Sequence, residues 1–258
     1  MTALSFVPAP GANRLLRMVA AHARMEVVLL VRNGEQLLLA LGIPLLLLVG
    51  GATSGTVVDL GAGRRIDVLT PGVLALAVMS TAFTSLAIAT AFERRYGVLK
   101  RLGASPLPRE GLLLAKVAAL LCVEVVQLGV IGAAGLALGW QPHGGFATVA
   151  SLLVLVVAAT AAFASLGLLL AGTLRAEATL AAANLVYVVL LVVGAVVVPL
   201  ASYPDSLHTA VSVLPSAALA EGLRDVCSGA GMQWWRVAVL VAWAVVAGTL
   251  TARTFRWE

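Results

Sequence analysis

The sequence predicts an all-α integral membrane protein with six transmembrane helices and both termini on the cytoplasmic side. Three observations predict it. Hydrophobic residues make up 61% of the chain and charged residues only 11%, against about 25% charged in ordinary soluble domains. Six apolar stretches approach the ~20 residues that a helix needs to cross ~30 Å of hydrocarbon. The 17 lysines and arginines are also concentrated in alternate connections. No Ser/Gly/Pro-rich linker or compositional break divides the 258 residues, so they are read as one domain.

The first element is a surface helix over 12–33. At about 100° per residue, Arg14, Arg17, Arg24 and Arg32 fall in one arc, with Leu15, Leu16, Val19, Ala23 and Val27 opposite. Such a helix lies along the bilayer with its arginines toward lipid phosphates. Glu26, near the apolar side, interrupts the pattern. The apolar run begins late and lacks a small-residue cleavage site, so the segment is expected to be retained rather than removed as a leader. Spans are expected at 35–53, 71–92, 111–139, 147–172, 178–200 and 233–252, the first containing Pro44.

Orientation follows from the basic residues, which stay on the cytoplasmic side in short loops. One side carries Arg14, Arg17, Arg24, Arg32, Arg94, Arg95, Lys100, Arg101, Arg109, Lys116, Arg175, Arg253 and Arg256, and the other only Arg64, Arg65, Arg224 and Arg236. Adding or removing one span would scramble this asymmetry.

The connection 93–110, ERRYGVLKRLGASPLPRE, is more than a charged anchor. Gly97 and Gly103 bracket VLKRL, in which Val98, Leu99 and Leu102 share a helical face while Lys100 and Arg101 point elsewhere. Pro106 and Pro108 stop the helix from continuing. An anchor needs no apolar face, whereas a docking helix gains affinity from apolar anchors and orientation from rim charges.

Polar residues at membrane depth are the other candidates. Glu124 lies ~16–20 Å into the third span, near the midplane, where acidic residues cost ~2.5–3.5 kcal/mol. Gln127 shares its face. The pair fits either interhelical hydrogen bonding or a substrate or proton path. Asn184 and Tyr187 repeat the spacing in the fifth span, and Ser80, Thr81, Thr84 and Ser85 cluster in the second. These either face a translocation path or serve as helix-packing residues. The segment 205–231 is too apolar for a plain loop and breaks at Pro215.

Several functions find no support. Two cysteines and three scattered histidines provide no disulfide framework and no metal-ligand spacing. No GxxxxGK[ST] phosphate loop and no catalytic constellation is present, so no cofactor is expected in this chain and any ATPase must be another polypeptide. Nucleic acid is not an expected partner.

Two segments resemble the membrane subunits of ABC-2 type exporters, including bacterial drug-resistance permeases of the daunorubicin-exporter kind. In the connection after the second span, Glu93, Arg94, Gly97, Leu99, Leu102, Ser105, Pro106, Arg109 and Lys116 match that family's pattern, with Val98 where threonine is usual. Before the last span, Tyr203, Pro204, Leu214, Pro215, Glu221, Leu223 and Arg224 match a second pattern. The resemblance implies a permease in a bacterial cell membrane, exporting an amphipathic drug, lipid or glycan-type cargo. It implies that residues 93–106 include a coupling helix seated on a separate ATPase that carries ATP and Mg, with the surface helix beside it. A second permease subunit, identical or related, completes the path. Pro215, Glu221 and Arg224 belong by this resemblance to a helix pair dipping into the outer leaflet at the exit. The alternative is a proton-coupled secondary transporter using Glu124, although no internal repeat supports it.

Overall fold

A computed structural model describes residues 14–32, 34, 38–53 and 64–255, and these are helical with short connections and no strand. The ends of the expected surface helix (12, 13 and 33), residues 35–37 of the expected first span, and Arg256 lie outside the described residues.

Helix α1 (Leu15–Arg32) packs along α5 (Arg109–Ala137). Arg17, Arg24 and Arg32 on it, and Arg14 just before it, are exposed, while His22 is buried. A π turn, Leu38–Gly42, leads into α2 (Ile43–Thr53). The apolar helical stretch Ala40–Thr53 spans about 21 Å at 1.5 Å per residue, short of the ~30 Å hydrocarbon layer. Among the described residues, the expected span at 35–53 is represented by this shorter apolar stretch.

Among the described residues, five helices are long and apolar enough to cross a membrane: α3 (Arg65–Arg95), α5, α6 (Phe146–Thr173), α7 (Ala176–Val193) and α10 (Trp234–Thr254). Helix α3 begins earlier than the expected residue 71, because Arg64 and Asp67 pair at 2.9 Å and fix its first turn. Helix α7 ends earlier than the expected residue 200. Ala195 adopts φ 54°, a left-handed conformation that ends the helix, and Pro199 precedes a 3-10 turn at Leu200–Ser202. Two shorter helices follow, α8 (Asp205–Ser212) and α9 (Pro215–Cys227), with Pro215 buried at the start of α9.

Helix α3 is the hub. It is the most enclosed of the five, and α2, α5, α6, α7 and α9 all pack on it. Lipid tails are as apolar as a protein core, so helix association here relies on close contact and hydrogen bonds rather than on escape from water. Small residues supply the close contact. A π segment, Ser80–Ser85, interrupts α3 at its middle. Gly167 of α6 lies against it so closely that a Cβ would stand 2.8 Å from the Phe83 carbonyl oxygen. Gly97, at φ 68°, turns the chain out of α3 into the short α4 (Val98–Leu102).

Gly167→Val is expected to separate α3 from α6 and cost about 1–3 kcal/mol, as overpacking does. Earlier thermal unfolding of the detergent-purified protein, with wild-type expression, checks this.

Candidate functional site

At the end of the bundle that bears α4, three residues expected on a docking surface are engaged within the chain. Arg94 donates to the Leu174 carbonyl at the end of α6, and Arg95 pairs with Glu177 in the first turn of α7. Glu93 accepts a hydrogen bond from the Lys116 ammonium at 2.8 Å. Lys116 donates equally to Glu26 of α1 at 2.8 Å, and His22 Nε2 lies 3.3 Å from the same carboxylate. Burial lowers the His22 pKa while Glu26 pulls it upward. Lys116 is only 5% exposed. Its three donors suit two carboxylates brought from different helices. Removing the lysine alone would leave those carboxylates uncompensated, a loss of about 3–5 kcal/mol for a buried pair.

The structure also revises the face of α4. Leu99, expected as an outward anchor, is 3% exposed and fastens the helix to the rest of the chain. Leu102 is half-buried. Outward lie Tyr96, at 65% exposure, with Val98, Lys100, Arg101 and Pro106. The surface is thus an aromatic and a β-branched side chain flanked by two cations.

The candidate path residues separate into distinct contacts. Thr81, in the π segment, donates to Gln127 Oε1 at 2.9 Å, and Gln127 Nε2 donates to the Ala40 carbonyl at 2.6 Å. One amide thereby joins α3, α5 and the turn before α2. Glu124 is fully enclosed and its Oε2 lies 2.6 Å from Thr160 Oγ1 of α6. Thr160 Oγ1 is also 2.8 Å from the Val156 carbonyl. The Thr160 hydroxyl donates to the Glu124 carboxyl and lies within reach of the Val156 carbonyl, so one hydroxyl serves two acceptors. No cation pairs with Glu124 among the described residues, and an unpaired carboxylate is costly to bury. The contact joins α5 to α6. Asn184 faces outward on α7 and bonds its own helix at Leu180, Tyr187 reaches Ser80, and Thr84 is half-buried. The described contacts do not join all six residues into one cluster.

At the opposite end, Arg224 of α9 holds irregular backbone in place. Its guanidinium donates to the carbonyls of Ala195 at 2.7 Å, Val196 at 2.5 Å and Val68 at 3.4 Å. Glu221 accepts from Arg224 at 2.6 Å and from the Leu200 amide at 3.1 Å. Buried carbonyls outside a helix need internal partners, and Arg224 provides them. A second pair, Asp225 with Arg236 at 2.9 Å, ties α9 to α10. A cavity of about 300 Å³ opens here, lined in part by Arg64, Asp67, Trp140, His143 and Asp225.

Sequence reasoning assigned no partner to Glu26, His22, Thr160, Asp225 or Arg236. The one signal was Glu26 on the apolar side of a surface helix.

Glu124→Gln, which keeps a donor beside Thr160, is expected to leave folding and thermal stability near wild type. Glu124→Lys, burying an unpaired cation, is expected to abolish recovery of folded protein. Size-exclusion profiles and thermal unfolding check both outcomes.

Residues 64–253 match the family described as ABC-2 family transporter protein. No curated protein matches the chain. The matched region takes in the hub helix α3, α4, the Arg224 clasp and all five long apolar helices. The chain therefore belongs to the ABC-2 transporter family, as an ABC-2 type permease.

Proposed function

We propose that the chain is the membrane-spanning half of an ATP-driven exporter. Two such subunits, identical or related, meet in the membrane, and ATPase subunits carrying ATP and Mg dock on α4 from the cytosol. In this arrangement α2 completes a sixth span, with both termini cytoplasmic, and α8 and α9 dip into the outer leaflet over the exit. The basic-residue asymmetry supports that orientation. The exposed apolar side chains of α7, such as Leu185 and Val188, provide a face for a second subunit or for lipid. The cargo is amphipathic, of drug, lipid or glycan type.

The observation that carries this reading is the form of α4. A five-residue helix is too short to be stable alone. This one is fixed by buried Leu99 and by the left-handed Gly97, and presents Tyr96, Val98, Lys100 and Arg101 outward. A soluble partner with an apolar groove and acidic rim fits that surface. Nucleotide-driven closure of the partner then biases the equilibrium between inward-open and outward-open arrangements. The secondary-transporter reading is disfavoured, because a proton carrier needs access to water and Glu124 is 0% exposed.

Purification of the tagged chain from its native host is expected to bring with it a polypeptide bearing a phosphate loop. The double variant Lys100→Glu/Arg101→Glu is expected to reduce the recovered partner at least tenfold, with the permease still folded. Recovery of the wild-type chain alone, in mild detergent, contradicts the proposal.

A further inference from the structure

The Lys116 ammonium ties α1, α3 and α5 together at one point. Helix α1 packs mainly on α5, and its polar link to the α3–α4 unit runs from Glu26 through Lys116 to Glu93. The junction between α3 and α4 is itself stiff. The amides of Tyr96, Gly97 and Arg101 donate to the carbonyls of Phe92, Arg94 and Gly97, so hydrogen bonds continue across the turn. Glu93 sits one helical turn before that junction, and Lys116 two turns into α5. Force arriving at α4 therefore reaches Glu93 with little give.

We propose that Lys116 is a positioning residue that makes the surface helix α1 and the α3–α4 unit move as one body, carrying the ATPase stroke into α1 as well as into α5. This rests on the exporter reading above. Two features favour a mechanical role over plain stability. The bridge joins elements distant in sequence at a single ammonium, and a stability role would be served equally well by apolar residues, since buried ion pairs are often no better than well-packed hydrophobic replacements. Its place is also specific: it lies outside the main apolar core and bonds Glu93, which sits one turn before the start of α4.

The test uses the complete complex in lipid nanodiscs, with ATP and vanadate as the probe, so that no cargo is needed. Spin labels are placed at exposed sites outside the docking surface, through Ala21→Cys on α1 and Ala252→Cys on α10, in a Cys122→Ala/Cys227→Ala background. In the otherwise unsubstituted complex, trapping is expected to shift the label-to-label distance distribution. Lys116→Met is expected to lose that shift while the ATPase still co-purifies and hydrolyses ATP, and Lys116→Arg to restore at least half of it. Should Lys116→Met fold poorly, the variant Glu26→Gln/Lys116→Met/Glu93→Gln removes all three charges together and carries the same expectation. An unaltered shift in Lys116→Met or in the triple variant overturns the inference and leaves the exporter reading standing. So does the absence of any shift in a complex that binds and hydrolyses ATP. If the unsubstituted chain binds no ATPase, the exporter reading falls and this inference falls with it.

Discussion

Everything in this chain is arranged around the enclosure of α3. In a bilayer, burying one more leucine against another helix gains little over leaving it in lipid. Cohesion must come from close approach and from hydrogen bonds that lipid cannot offer. Helix α3 obtains the first through contacts such as that with Gly167, and the second through polar ties at its two ends and its middle.

Those ties differ in character, and the difference maps onto use. The middle holds no ion pair among the described residues: an amide bonds to a hydroxyl and a carbonyl, and a carboxyl accepts from a threonine. Such contacts fix the helices against one another through hydrogen bonds alone. The α4 end is ionic, with Glu93, Arg94 and Arg95 each gripping a different neighbour. The opposite end uses one guanidinium to satisfy the carbonyls of a chain that has left its helix. Gly72 makes room there, since a Cβ would strike the Val196 carbonyl and stand 2.9 Å from Arg224 Nη2. The most polar contacts thus sit at the two ends of α3, one beside α4 and the other beside α9.

Much of the fold was legible in the sequence. The expected spans at 111–139, 147–172 and 233–252 match α5, α6 and α10 to within a few residues, because long uniform apolar runs bounded by Gly, Pro or Arg leave little choice. The bracketing of α4 by Gly97 and Gly103 and the break at Pro215 were equally clear, since backbone conformation at glycine and proline is a local property. What sequence could not tell was which way α4 faces. Val98, Leu99 and Leu102 form one apolar stripe, and only the packing of α4 against its own chain separates buried Leu99 from exposed Val98. The early end of α7 was hidden for a related reason. Residues 194–198, GAVVV, read as membrane helix, and it is Arg224, far along the chain, that makes an irregular path tolerable there. Glu26 looked like a flaw in an amphipathic pattern until Lys116 was placed beside it.

In the proposed exporter, the outward surface of α4 is held by a nucleotide-hydrolysing subunit. The most direct measurement places a photo-activatable cross-linking amino acid at Val98 in intact cells and identifies what it captures by mass spectrometry. Covalent capture of a polypeptide containing a phosphate loop, at residues that form a groove on its surface, is the expected result. Efficient photolysis that yields only lipid adducts, water adducts or cross-links within the permease would contradict it.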